Sequence, residues 1–255
     1  MNRSLKGLRV LNTRPKHQAP TFSELIRQAE GIAFEFPTIE IKQSHSNWID
    51  KIPALHQINH AIFISANAVI YCFDLLKERN IVWPSHINVI AIGNGTAKLL
   101  EHYQIRVNEI PLIPDSEHLL TLNSLQQLTN QTVLLFKGEG GRQIIENHLL
   151  RAGANTIILP VYQRTLPIIS NEIANSLWRE NAVDIILLTS EQSLQNLFKL
   201  FSTEAHTWLQ NKPFLVISDR LAQAASIRGV KKIITSHPDK MMDALFDYKG
   251  LIHGR

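Results

Sequence analysis

Six short segments of the 255-residue chain combine hydroxyls, cations and glycines in ways that suit the capture of an anion. They are Thr13-Arg14-Pro15, Ser65, Gly93-Asn94-Gly95-Thr96, Lys137-Gly138-Glu139-Gly140-Gly141-Arg142, Ser190 and Ser218-Asp219-Arg220. Each follows a short apolar run and precedes an amphipathic stretch, where a helix starts with unpaired N–H groups and the positive end of its dipole. The glycines at 93, 95, 138, 140 and 141 let a carboxylate or phosphate approach the backbone closely. Arg14, Lys137, Arg142 and Arg220 add charge-assisted donors. Arg14 and Lys137 lie 123 positions apart, and Ser65 and Ser190 lie 125 apart, so one pattern occurs twice.

Each feature has a plainer reading. Ser65, Ser190 and Thr96 have the residue types of helix N-caps, and Arg14 and Lys137 those of solvated charges. GEGGR lacks the Lys-Ser/Thr pair that ends a Walker loop. It also lacks the acidic residue expected about 20 positions beyond a dinucleotide fingerprint. The 11 histidines show no HxH pair and are otherwise scattered, so no metal site is expected. There is no GxSxG elbow, and the single cysteine, Cys72, sits between Tyr71 and Phe73 as a packed residue would. No nucleophile, metal or carboxylate pair announces a reaction. A catalyst built from these residues has to work by positioning and electrostatics.

Composition narrows the partner. A net charge of +4 favours an anionic one. No run of Lys or Arg exceeds two, and aromatics are only 7% of the chain, so the footprint of a nucleic-acid binder is missing. No apolar run approaches the roughly 20 residues of a membrane span. The start, MNRSLKGLRV, has no apolar signal region. The expectation is a cytoplasmic protein that takes a small polyanion and binds neither nucleic acid nor membrane.

The elements that must position these groups are eight apolar runs: 8–12, 61–65, 89–93, 132–136, 156–160, 184–190, 214–218 and 232–236. Each is nearly continuous rather than alternating, the pattern of a strand buried on both faces. Helical segments lie between them at 21–31, 146–153 and 191–201, with Gly31 and Gly153 placed as C-cap glycines. Asp115 or Ser116 is the expected N-cap after the loop PLIPDS. This alternation predicts α/β architecture with parallel sheets flanked by helices. Val10 and Val133, Gly31 and Gly153, Pro37 and Pro160, Phe73 and Phe198, and Ala97 and Ala222 repeat at offsets of 122 to 125. A unit of about 125 residues used twice predicts two similar Rossmann-like or flavodoxin-like domains, with the ligand in a cleft between them.

With these blocks assembled, the sequence resembles the uroporphyrinogen-III synthase family over essentially its whole length. The resemblance is carried by LRVLNTRP, FEFPTIEI (34–41), AIFISANAV (61–69), VIAIGNGTAKLL (89–100), LLFKGEGGRQIIENHLLRAGA (134–154), LPVYQRTLP (159–167) and IILLTSEQSLQNLF (185–198). It implies two domains, 1–37 plus 165–255 and 38–164, joined by extended linkers near 37–43 and 160–167. Over those ranges the first domain has 16 basic and 12 acidic residues and the second has 10 of each, so the positive charge falls on the first.

The resemblance also implies a lyase of tetrapyrrole biosynthesis that needs no cofactor or metal. Its substrate is hydroxymethylbilane, a linear tetrapyrrole with eight carboxylates. Loss of the terminal hydroxyl gives an azafulvene cation. The substituted α-carbon of ring D attacks it, and the spirocyclic pyrrolenine so formed fragments and recloses with ring D inverted. In VYQR, Tyr162 matches the family's linker tyrosine, thought to help the hydroxyl leave, and Arg164 joins the candidate carboxylate contacts. Thr96, Ser65 and Ser190 match residues that line the family's cleft. Some members carry a threonine pair where this chain has Ser218-Asp219-Arg220, and Asp219 would repel a carboxylate unless Arg220 masks it. A monomer is expected. Two rivals are a non-catalytic two-domain protein that closes on an anion, and a nucleotide-dependent enzyme using GEGGR.

Overall fold

Apolar strands with short helical connections can bury both faces of a sheet only if the helices cross over it, and the chain folds accordingly. The computed structural model describes residues 3–45 and 47–253. In chain order the elements are β1 (Arg9–Asn12), α1 (Ala19–Gln28), β2 (Ile32–Glu35), β3 (Glu40–Gln43), β4 (His60–Phe63), α2 (Ala66–Glu78), β5 (Asn88–Ala91), α3 (Asn94–His102), α4 (Ser116–Leu119), β6 (Thr132–Gly138), α5 (Ile144–Arg151), β7 (Asn155–Thr165), α6 (Asn171–Arg179), β8 (Ile185–Leu188), α7 (Glu191–Leu200), α8 (His206–Asn211), β9 (Pro213–Val216), α9 (Asp219–Ile227), β10 (Lys232–Thr235) and α10 (Met241–His253). All eight predicted strands are present. β2 and β3 were not among them, because IAFE and EIKQ are half-exposed and lack a continuous apolar run.

Two compact units result, one from residues 1–40 and 165–255 and the other from 41–164. The first holds a five-stranded sheet of order β10-β9-β8-β1-β2, with every pairing parallel. Counted within the unit, this is the doubly wound order 2-1-3-4-5, whose switch point lies between β1 and β8. The other sheet has the order β3-β7-β6-β4-β5, and β7, β6, β4 and β5 pair in parallel. Glu109 adds a parallel bridge to Ile90 at the outer side of β5. The repeat is therefore visible in the topology: β6 and β7 stand as β1 and β2, and β4 and β5 as β8 and β9. The switch point of the second unit lies between β6 and β4.

Strand residues alternate between two apolar layers in each unit, as a pleated strand requires. In the first unit Leu11, Ile186, Leu188, Phe214 and Val216 face the layer of α6, α7 and α9. Val10, Ile185, Leu187 and Leu215 face that of α1 and α10. In the second, Ala61, Phe63, Leu134 and Phe136 pack with α2 and α3, while Ile62, Val133 and Leu135 pack with α4 and α5. Burial on both faces holds for β1, β4, β5, β6, β8 and β9. β10 closes a sheet edge and is not buried, and Ile158 in β7 is 42% exposed, so these two runs depart from the pattern expected of them. Among the described residues no helix is long and apolar enough to cross a membrane.

Helix ends repeat one device. After α5, Gly153 takes φ +84°, its N–H bonds Leu150 O, and Ala154 N–H bonds Leu149 O, which is a Schellman ending. After α1 the left-handed residue is Glu30 (φ +66°), not Gly31 as the sequence pattern suggested. Glu30 N–H bonds Arg27 O and Gly31 N–H bonds Ile26 O, so Glu30 is the true counterpart of Gly153. Gln104 ends α3 in the same way at φ +61°. A left-handed L-residue costs about 1–2 kcal/mol, against about 0.5–1 kcal/mol for the entropy a glycine loses on folding. Gln104→Gly is therefore expected to raise stability by about 0.5 kcal/mol. Gly153→Ala, whose Cβ would also meet Thr129 Oγ1 at 3.0 Å, is expected to lower it by at least about 1 kcal/mol. Urea unfolding of the two variants checks both signs.

Candidate functional site

In the second unit the turns after β4, β5 and β6 and the far part of β7 bring several candidate residues to the C-terminal edge of the sheet. Ser65 has the extended backbone of an N-cap, and its Oγ accepts from Ala68 N at 3.1 Å. The same hydroxyl donates to Tyr162 Oη at 3.2 Å. Arg164, two residues along β7 and so on the same face as Tyr162, donates from Nη2 to Tyr162 Oη at 2.9 Å. Its guanidinium carbon lies 5.3 Å from the tyrosine ring centroid. Tyr162 Oη thus receives two donors, and among the described residues no acceptor takes its own hydrogen.

The ring of Tyr162 is held tightly. It is 2% exposed, and it stacks on Tyr71 with centroids 6.1 Å apart. Tyr71 is fixed in turn by donating its hydroxyl to Ile41 O at 2.8 Å. The register between β6 and β7 shifts at Lys137/Gly138, setting Gly138 opposite Tyr162. A Cβ at Gly138 would stand 2.6 Å from Tyr162 Cζ and 2.9 Å from Oη. Glycine is required here for close approach, and its φ lies outside the left-handed region. Thr96 is buried one turn into α3, and its hydroxyl has no partner among the described residues. The N-cap of α3 is Gly93, so the reading of Thr96 as a cap is corrected.

In the first unit Arg14 follows β1 and Ser190, the N-cap of α7, follows β8, the two strands that flank the switch point. Its guanidinium lies 4.9 Å from the centroid of Phe22, and Nη2 donates to Met241 Sδ at 3.4 Å. Nε is buried without a partner, and no carboxylate pairs with this cation among the described residues. Burial lowers the Arg14 pKa from its ordinary value. Behind it lies a buried hydroxyl cluster. Thr13 Oγ1 donates to Leu187 O at 2.6 Å and lies 3.1 Å from Ser193 Oγ. Ser193 also bonds Thr38 Oγ1, and Asn196 Nδ2 donates to Thr38 O at 2.7 Å. Ser218 caps α9 by accepting from Leu221 N at 3.3 Å.

A family model described as uroporphyrinogen-III synthase HemD matches residues 20–247. The chain belongs to the uroporphyrinogen-III synthase family. Uroporphyrinogen-III synthase of Escherichia coli K12 is 29% identical over 230 residues, covering 88% of this chain and 93% of that protein. The synthase of Proteus mirabilis is 30% identical over 192 residues, covering 74% and 96%. The crystal structure of uroporphyrinogen-III synthetase from Helicobacter pylori 26695 matches with a TM-score of 0.64 at 17% identity, covering 96% of this chain and all of that one. That last likeness speaks for the fold. Membership in an enzyme family of porphyrin biosynthesis favours neither the ligand-closing binding protein nor the nucleotide-dependent enzyme.

The remaining candidates are placed less well for a synthase site. Lys137 is buried, and its ammonium is neutralised by Glu146 of α5, so its charge is not offered to a ligand. Arg142 pairs with Glu117 at 3.0 Å on the surface. Gly140 and Gly141 both take left-handed φ in the loop after β6. Asp219 and Arg220 are exposed with no ion pair between them among the described residues, so Arg220 does not mask Asp219. A cavity of about 500 Å³ lined by Arg3, Lys6, Phe246 and Asp247 opens beside the start of β1 rather than at the strand tips. Sequence reasoning missed Tyr71, Thr38 and Ser193. Tyr71 lies among the apolar residues of α2, and nothing local marks a Thr and a Ser 155 positions apart as partners. Gly138→Ala is expected to push the Tyr162 ring away from Ser65 and Arg164. It should cost about 1–3 kcal/mol of stability, the usual penalty of overpacking. Urea unfolding reads the cost, and a midpoint equal to that of the parent chain would show that the ring has room to yield.

Proposed function

We propose that this chain is a lyase that converts hydroxymethylbilane to uroporphyrinogen III, with Tyr162 as the acid that helps the hydroxyl leave. One observation carries the reading of the tyrosine. Its oxygen accepts from Ser65 and Arg164, which leaves its own O–H as the group to donate. The pyrrole nitrogen lone pair expels the oxygen of the hydroxymethyl arm as the C–O bond breaks. The Tyr162 proton passes to that oxygen, and water leaves. The azafulvene cation and the phenolate form together. Ring D attacks through its substituted carbon, the spiro intermediate fragments and recloses, and the proton lost on rearomatisation returns to the phenolate. Atoms then balance as bilane to macrocycle plus water.

A pyrrole expels hydroxide readily, so the larger task is to hold the reacting ends together. Orientation of an intramolecular reaction supplies up to roughly 7–11 kcal/mol. Thr96 and the capped helix starts at Ser65, Ser190 and Ser218 are suited to hold acetate and propionate arms. Arg14 is the cation best suited to a carboxylate, because burial already costs its charge and its Nε lacks an acceptor.

The deciding assay supplies hydroxymethylbilane, oxidises the products and separates type I from type III porphyrin. Type III in excess is expected. Type I alone, the product of unassisted closure, would overturn the reading. Arg14→Leu is expected to raise KM by about tenfold, the worth of one lost charge-assisted bond, with a smaller effect on kcat. An unchanged KM would remove Arg14 from the binding set.

A further inference from the structure

Resting on the acid role just given to Tyr162, we propose that Arg164 is a positioning residue that acts through that tyrosine, rather than a direct contact for a substrate carboxylate. Residues 162 and 164 occupy alternate positions of β7, so their side chains leave the same face of the strand. Arg164 uses this to bring Nη2 within 2.9 Å of Tyr162 Oη. No carboxylate pairs with Arg164 among the described residues, so no anion competes with the phenol oxygen for its charge.

The two donors at that oxygen are not equivalent. Ser65 is neutral, and its Oγ also serves as the acceptor that caps α2. Its geometry is therefore set by the helix start. Arg164 is a permanent cation. A hydrogen bond from a cation to a neutral phenol is already charge-assisted, and it strengthens further when the acceptor becomes an anion, because two full charges then attract. Only interactions that strengthen on the way to the transition state speed the chemical step. As the Tyr162 proton moves to the departing hydroxyl, the O–H bond breaks and charge collects on Oη. Arg164 is the group placed to stabilise it. When the proton returns after ring closure, the contact relaxes to the guanidinium–phenol pair seen here. Arg164 neither gives nor takes a proton.

The test is a double-mutant cycle on the whole protein with isomer-resolved kinetics, comparing R164L, R164K, Y162F and Y162F/R164L. R164L should lower kcat for type III formation by about tenfold or more, as loss of a donor to a developing anion does, with KM within about twofold. R164K should recover part of kcat, because an ammonium supplies the charge without the planar fork. In the Y162F background, loss of Arg164 should cost nothing further. Arg164 is exposed, so the variants should match the parent in urea midpoint; if R164L does not fold, R164K and Y162F/R164K complete the cycle. A raised KM with kcat unchanged, or a deficit that multiplies that of Y162F, would overturn the proposal and make Arg164 a substrate contact. A parent chain that makes no type III product would instead refute the reaction assigned above, so the two failures are distinguishable.

Discussion

Because the pairings from β2 through β10 in one sheet and from β7 through β5 in the other are parallel, each β-to-α turn falls on one edge of its sheet. Every group with chemical potential in this chain follows from that constraint. Strand C-termini end where helices begin, so capping serines, free N–H groups and the first side chains after each strand converge without any further design. The repeat doubles the arrangement. Within each unit the switch point adds an asymmetry, because neighbouring strands there send their helices to opposite faces and leave the turns uncovered. Arg14 with Ser190 occupies one such point, and Gly138 with Ser65 the other.

Gly138 links this edge to the phenol. Any other residue would place a Cβ inside the tyrosine ring, so the glycine serves the second strand neighbour rather than its own backbone. The register shift at Lys137/Gly138 sets the opposition, and Tyr71 closes the far side of the ring. The ring is then core, and only its polar atom faces polar partners. Locking a ring in this way settles where its oxygen sits before a ligand arrives, which is what the proposed acid role requires.

The legible part of this arrangement is what local sequence determines. Most strands were visible as apolar runs, and Ser65, Ser190 and Asp115 were visible as caps, because capping depends on residues three apart. The repeat showed the pairing of units. Illegible parts depend on partners brought together by the fold. Lys137 looked equivalent to Arg14, yet Glu146 reaches it from α5 and cancels it, while Met241, 227 positions away, gives Arg14 a sulfur and no carboxylate. Glu30 looked like the last residue of a helix, and its left-handed φ lets its own N–H and that of Gly31 close onto Arg27 O and Ile26 O.

The same pairing corrects what net charge suggests. Surplus positive charge in a sequence is a statement about solution behaviour and encounter, and it does not say which cation meets a ligand. Arg3, Arg9, Arg27, Lys137 and Arg142 all face carboxylates of their own. For the exposed pairs the energetic return is small, but their charge is largely compensated. Arg14 and Arg164 differ because their neighbours are a thioether, aromatic rings and a phenol. Arg14 is the buried one, so its surroundings solvate the cation poorly and give it no counter-ion among the described residues, whereas Arg164 is exposed and makes its contact with the phenol. An anion that docked at Arg14 would recover desolvation cost already incurred on folding, so the gain would exceed that of the same contact made by a solvated side chain. The partners of each cation therefore say more about the strand-tip edges than the whole-chain charge does.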